Sequence, residues 1–100
     1  MSERRIVRLL ISGRVHGVGF RYFVEREAGK RKLEGWVRNC RDGAVEALIA
    51  GTPEAVEAMC EACRRGPPAA AVDAVDVREA GPSDLALRVT GESFSVLQTA

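Results

Sequence analysis

An α+β domain in the order β-α-β-β-α-β is predicted by three observations. Apolar residues alternate with period two in "RIVRLLIS" and "AVDAVDVREA", and "EGWVRNC" and "GAVEALIAG" read as short strands on either side of one turn. They recur at helical spacing from Phe20 to Ala28 and from Val56 to Cys63. Asp42-Gly43, a pair that favours the positive φ angles of a tight hairpin, separates the second strand from the third. With 100 residues the chain reads as one domain over 1–100, long enough to bury somewhat over ~60% of its unfolded surface.

The first strand carries Val7, Leu9 and Ile11 on one face and Ile6, Arg8, Leu10 and Ser12 on the other. The glycine-bearing stretch "SGRVHGVGFRYF" ends it. Phe20, Phe23, Val24 and Ala28 then follow the i, i+3, i+4, i+8 spacing of a helix that fades near Gly29 to Leu33. The second and third strands pair through the Asp42-Gly43 turn. Thr52 offers an N-cap oxygen and Pro53 takes the first helical position, and the apolar stripe Val56, Met59, Cys60, Cys63 runs on until Gly66 and the Pro67-Pro68 stop. The fourth strand alternates through Val75 and Val77, and "FSVLQ" after the loop near residues 81–83 adds a short fifth edge strand. No internal repeat is present.

This order is the ferredoxin-like arrangement, an antiparallel sheet with two helices on one face. A right-handed β-α-β unit makes the first two strands parallel, so their carboxyl ends share one edge. The turn from Arg14 to Phe20 and the strand end from Arg38 to Cys40 therefore come together, with the third strand between them and a gap of about 10 Å.

Composition narrows the function classes. The net charge of +1 argues against a surface that is all nucleic-acid footprint, and two aromatics, Tyr22 and Trp36, without an interleaved basic sheet make a weak case for base stacking. Charge is uneven, however. Residues 1–45 hold eleven Arg and Lys against five acids, and residues 46–100 hold four against nine. A small anionic ligand in the first half fits this asymmetry, as do simply solvated charged faces. No apolar run approaches a membrane span, and Arg8 interrupts the one candidate signal core. Cys40, Cys60 and Cys63 are too few and odd in number for a disulfide framework, and Cys60 and Cys63 lie on the apolar stripe, where core packing is the simplest role. A cytoplasmic monomer without a membrane or nucleic-acid partner is the expectation.

The stretch from Arg14 to Arg21 suits an anion. Gly17 and Gly19 allow φ values that turn successive N–H groups inward, and the helix start at Phe20 adds unpaired donors and a positive dipole end. The alternative is a tight structural turn. The glycine spacing of "GVGFRY" matches neither the dinucleotide fingerprint nor a P-loop.

"GRVHGVGFR" (13–21) followed by "GWVRNCRDGAVE" (35–46) resembles the two signatures of the acylphosphatases, and the likeness spans the chain in length and element order. The resemblance implies a hydrolase without metal or cofactor that cleaves the carboxyl-phosphate anhydride of small-molecule acyl phosphates. By position it implies that Arg14, Val15, His16, Gly17, Val18, Gly19 and Phe20 cradle the phosphoryl oxygens, that inorganic phosphate or another anion fits the same place, that Arg21 grips the phosphoryl group, and that Asn39 holds the attacking water. His16 stands where glutamine is usual and reads as a loop contact rather than a base. Cys40 stands where a hydroxyl residue is common, and the ending "FSVLQTA" lacks the usual aromatic or arginine. A phosphate-binding or interaction module without turnover is the alternative on the same fold. Domains at the start of longer hydrogenase maturation proteins are related, but those tend to carry proline where Tyr22 follows Arg21.

Overall fold

The computed structural model describes residues 3–100. Strand β1 (Arg5–Arg14) leads into helix α1 (Phe20–Lys30), then strands β2 (Glu34–Asn39) and β3 (Val45–Gly51), helix α2 (Pro53–Arg65), strand β4 (Ala71–Glu79), a 3₁₀ turn (Pro82–Leu87) and strand β5 (Phe94–Val96). The sheet order is β4-β1-β3-β2-β5. Leu9 faces Ala47 of β3 and Val77 of β4, and Val37 of β2 faces Ala47 from the other side, all antiparallel. Because β1 and β2 both run against β3, they run with each other, and their carboxyl ends meet at one edge as the crossover predicts. The short fifth strand exists and pairs parallel to β2, opposing Val37 to Val96, so the five-stranded sheet is mixed at that edge alone.

One sheet face and both helices enclose the main core, in which Val7, Leu9, Ile11, Val37 and Ile49 meet Phe20, Val24, Val56 and Met59. This follows from the alternation of each strand and the stripes of the two helices. Helix α2 begins where the sequence indicates, with Thr52 Oγ1 accepting from Ala55 N at 3.2 Å. Helix α1 ends at Lys30, and Leu33 N closes it onto Ala28 O at 2.9 Å.

Two features differ from the sequence-based expectation. Strand β1 continues past Ser12 to Arg14 through a bulge, with Gly13 pairing Val72 and Arg14 pairing Ala71. A Cβ on Gly13 would come within 2.3 Å of Ala71 O, so only glycine allows this close approach. The second difference lies on the opposite sheet face, where the 3₁₀ turn lays Leu85 over Ile6, Trp36, Leu48 and Ala50 as a second small core. Trp36 Nε1 donates to Asp84 O at 2.9 Å and anchors that cover.

Candidate active site

The chain turns from β1 into α1 between two apolar anchors, Val15 and Phe20, both buried in the main core. Between them His16 to Gly19 form a tight turn. Gly17 and Gly19 hold φ at +70° and +79°, left-handed values that an L side chain rarely adopts. Gly19 is also the N-cap of α1, and the first helical bond runs from Phe23 N to Gly19 O at 3.0 Å. The N–H groups of Phe20, Arg21 and Tyr22 precede that bond and have no partner within the helix. They add donors and the positive dipole end to the turn.

Asn39 reaches the same place from the end of β2 and is held on both sides. It pairs with Val45 of β3, while its carbonyl accepts from Ala100 N at 3.0 Å and the next residue but one, Arg41, donates from its N to Ala100 O at 2.9 Å. Leu97 N donates to Val37 O at 2.8 Å, so the last residues run along β2 as a strap beyond β5. The turn from Cys40 to Ala44 is closed by Cys40 N to Ala44 O at 2.8 Å and by Ala44 N to Asp42 Oδ1 at 3.0 Å.

A cleft of about 110 Å³ lies between these two segments. Val15, Gly17, Gly19 and Phe20 line it from the turn, Arg21 and Tyr22 from the first turn of α1, and Asn39 from β2. Among the described residues neither the Arg21 guanidinium nor the Asn39 amide makes a side-chain hydrogen bond or ion pair, whereas Arg5, Arg8, Arg31 and Arg38 are all committed to carboxylates. Two polar groups are thus available to a ligand in a recess whose other donors are backbone N–H groups.

The remaining residues named from the sequence lie around this cleft without lining it. Arg14 is the paired last residue of β1. Val18 packs on the main core. His16 Nε2 donates to Ala44 O at 2.7 Å and ties the turn to the segment that follows Asn39. Cys40 sits beside Asn39 with its thiol pushed above the usual range by burial and then by the Glu46 and Asp42 carboxylates, which disfavours a thiolate there. Among the described residues no group of three His, Cys, Asp or Glu gathers to hold a metal ion, and no helix is long and apolar enough to cross a membrane.

The family model for acylphosphatase matches residues 7–92. The chain belongs to the acylphosphatase family. An acylphosphatase from Bradyrhizobium diazoefficiens is 54% identical over 97 residues, which is 97% of this chain and 98% of that one. The crystal structure of acylphosphatase from Bacillus subtilis superposes with a TM-score of 0.80 at 41% identity, covering 95% of this chain and 99% of its own. Full-length HypF, crystallised in a phosphate- and nucleotide-bound form, matches 99% of this chain at 26% identity and a TM-score of 0.81, but only 12% of HypF takes part.

Two parts of this acylphosphatase-family site escape sequence reading. The backbone strap on Asn39 depends on β5 running parallel to β2, a direction that alternation does not encode. Tyr22 lines the cleft, and its position directly after Arg21 in the first helical turn is the signal that places it there.

Proposed function

We propose that this acylphosphatase-family chain hydrolyses the carboxyl-phosphate anhydride of acyl phosphates without a metal, acting as a cytoplasmic monomer. The observation that carries the reading is the cleft that gathers Gly17, Gly19, Arg21 and Asn39 from two stretches about twenty residues apart in sequence. The turn's backbone N–H groups and the first N–H groups of α1 bind the phosphoryl oxygens, and the Arg21 guanidinium grips two of them with its planar fork. Each hydrogen bond to a charged oxygen contributes about 1.5 to 3 kcal/mol, so several of them hold a phosphoryl group together.

Asn39 orients the water. Its amide offers both an acceptor and donors, and its backbone is fixed by β3 on one side and Ala100 on the other, which keeps the side chain's origin in place. The water oxygen bonds to phosphorus as the bond from phosphorus to the bridging oxygen breaks. The electron pair leaves with the carboxylate, and the water's proton passes to a phosphoryl oxygen. A carboxylate leaving group has a conjugate-acid pKa of about 4 and departs without a general acid. Positioning and charge stabilisation then carry the reaction, as phosphoryl transfer requires.

Hydrolysis of benzoyl phosphate in the presence of EDTA tests this. Wild-type protein turns over, Asn39→Ala lowers kcat by about 10² to 10³ with little change in KM, and Arg21→Lys behaves almost as Arg21→Ala. A wild-type protein that binds inorganic phosphate and releases none from benzoyl phosphate is instead a phosphate-binding module. Activity close to wild type in Arg21→Lys removes the two-pronged grip from the mechanism.

A further inference from the structure

We propose that Tyr22 is the acyl-recognition element of this site and that its ring favours acyl phosphates with an aromatic or large apolar acyl group over acetyl phosphate; this rests on the acyl-phosphate reading above.

The cleft holds about 110 Å³, below the roughly 300 to 1,000 Å³ of a site that encloses a whole small molecule. Apart from Tyr22, its lining is the turn from Val15 to Phe20, Arg21 and Asn39, so on the acyl-phosphate reading the phosphoryl end fills it and the acyl group stands at the mouth. Four large hydrophobic residues are exposed among those described, namely Leu10, Tyr22, Leu87 and Val89, and of these only Tyr22 lines the cleft. It is 68% exposed.

Successive helix positions diverge by about 100°, so Tyr22 and Arg21 serve different parts of one ligand. Arg21 takes the charged end and Tyr22 is left for the other. Among the described residues the Tyr22 hydroxyl has no hydrogen-bond partner, and the ring joins neither core cluster. A flat, exposed aromatic face beside an anion site fits a benzoyl-type group, and ring-on-ring contact adds selectivity beyond plain apolar burial.

The test compares kcat/KM for benzoyl phosphate and acetyl phosphate in wild type, Tyr22→Ala and Tyr22→Phe. The benzoyl-to-acetyl ratio falls about 3- to 10-fold in Tyr22→Ala, through KM rather than kcat, and Tyr22→Phe keeps the wild-type ratio because the ring alone is used. A ratio unchanged in Tyr22→Ala, or lost equally in Tyr22→Phe, overturns the proposal. A second arm measures binding of phenacylphosphonate and acetonylphosphonate, in which a methylene replaces the bridging oxygen and hydrolysis is blocked. The same change in their affinity ratio is expected. Wild-type protein that hydrolyses neither acyl phosphate overturns the catalytic reading, and the phosphonate ratio then decides the role of Tyr22 on its own.

Discussion

Gly19 performs two tasks with one backbone conformation, ending the turn at φ +79° and capping α1 without a side chain. A Cβ placed there meets nothing within 4 Å, so the cost of a side chain is in the backbone and not in a clash. Gly19→Ala is therefore expected to fold, to lose about 1 to 2 kcal/mol of stability, and to bind inorganic phosphate more weakly as the turn relaxes. Thermal unfolding together with phosphate inhibition of turnover checks this, and unchanged values of both would show that the left-handed turn is not needed. At this scale the sequence was most informative. Gly17 and Gly19 are legible from type and spacing, because a left-handed turn is a local requirement that glycine meets, and Arg21 follows from its place directly after that turn, whereas Asn39 is reached only through the resemblance of "GWVRNCRDGAVE" to the second acylphosphatase signature. The bond from His16 to Ala44 was not legible, since its acceptor lies twenty-eight residues away on another turn.

Helix α2 and strand β1 differ in how much of them is local. The limits of α2 are written in adjacent residues, with Thr52 bonding Ala55 N at the start and Gly66 at φ +67° closing the end through Ala62 O. Thr52→Ala should cost about 1 kcal/mol in denaturant unfolding, while specific activity of the folded protein stays at the wild-type level, because Thr52 lies outside the cleft. An activity loss out of proportion to stability would tie α2 to the site. The end of β1 is instead decided by β4, whose Ala71 and Val72 draw Gly13 and Arg14 into the ladder. Nothing near Ser12 announces that partner, so the strand reads two residues short in the sequence.

At the scale of the molecule, the sheet is buried on one face by two helices, and the 3₁₀ turn covers Ile6, Trp36, Leu48 and Ala50 on the other. Cys63 is fully buried between α2 and the sheet, and burial pushes its thiol from the usual 9.0 up to about 12. The native state favours the neutral thiol, so its contribution is present in full below pH 9, where the unfolded chain is also protonated. It is lost as the pH rises from 9 towards 12, because the unfolded state then releases a proton that the native state keeps. Stability should fall over that window with a slope contribution of about 1.4 kcal/mol per pH unit. Guanidinium unfolding between pH 8.5 and 11 reads this as a steeper fall for wild type than for Cys63→Ala. Equal slopes would mean that the thiol ionises in place.

The sequence by itself determined the order of elements, the core faces of both helices, the glycine turn between β1 and α1, and the approach of that turn to the end of β2. These depend on periodicity, capping and backbone conformation, which act over a few residues, and on the handedness of one crossover, which is general. Only the tertiary structure decided that β5 runs parallel to β2 and carries a strap to Asn39, that a 3₁₀ turn seals Trp36, that His16 bonds the neighbouring turn, and that Tyr22 lines a small cleft. Each of these depends on a contact between distant segments whose geometry is settled by how the whole sheet and its helices pack, and no local pattern of residues carries that information.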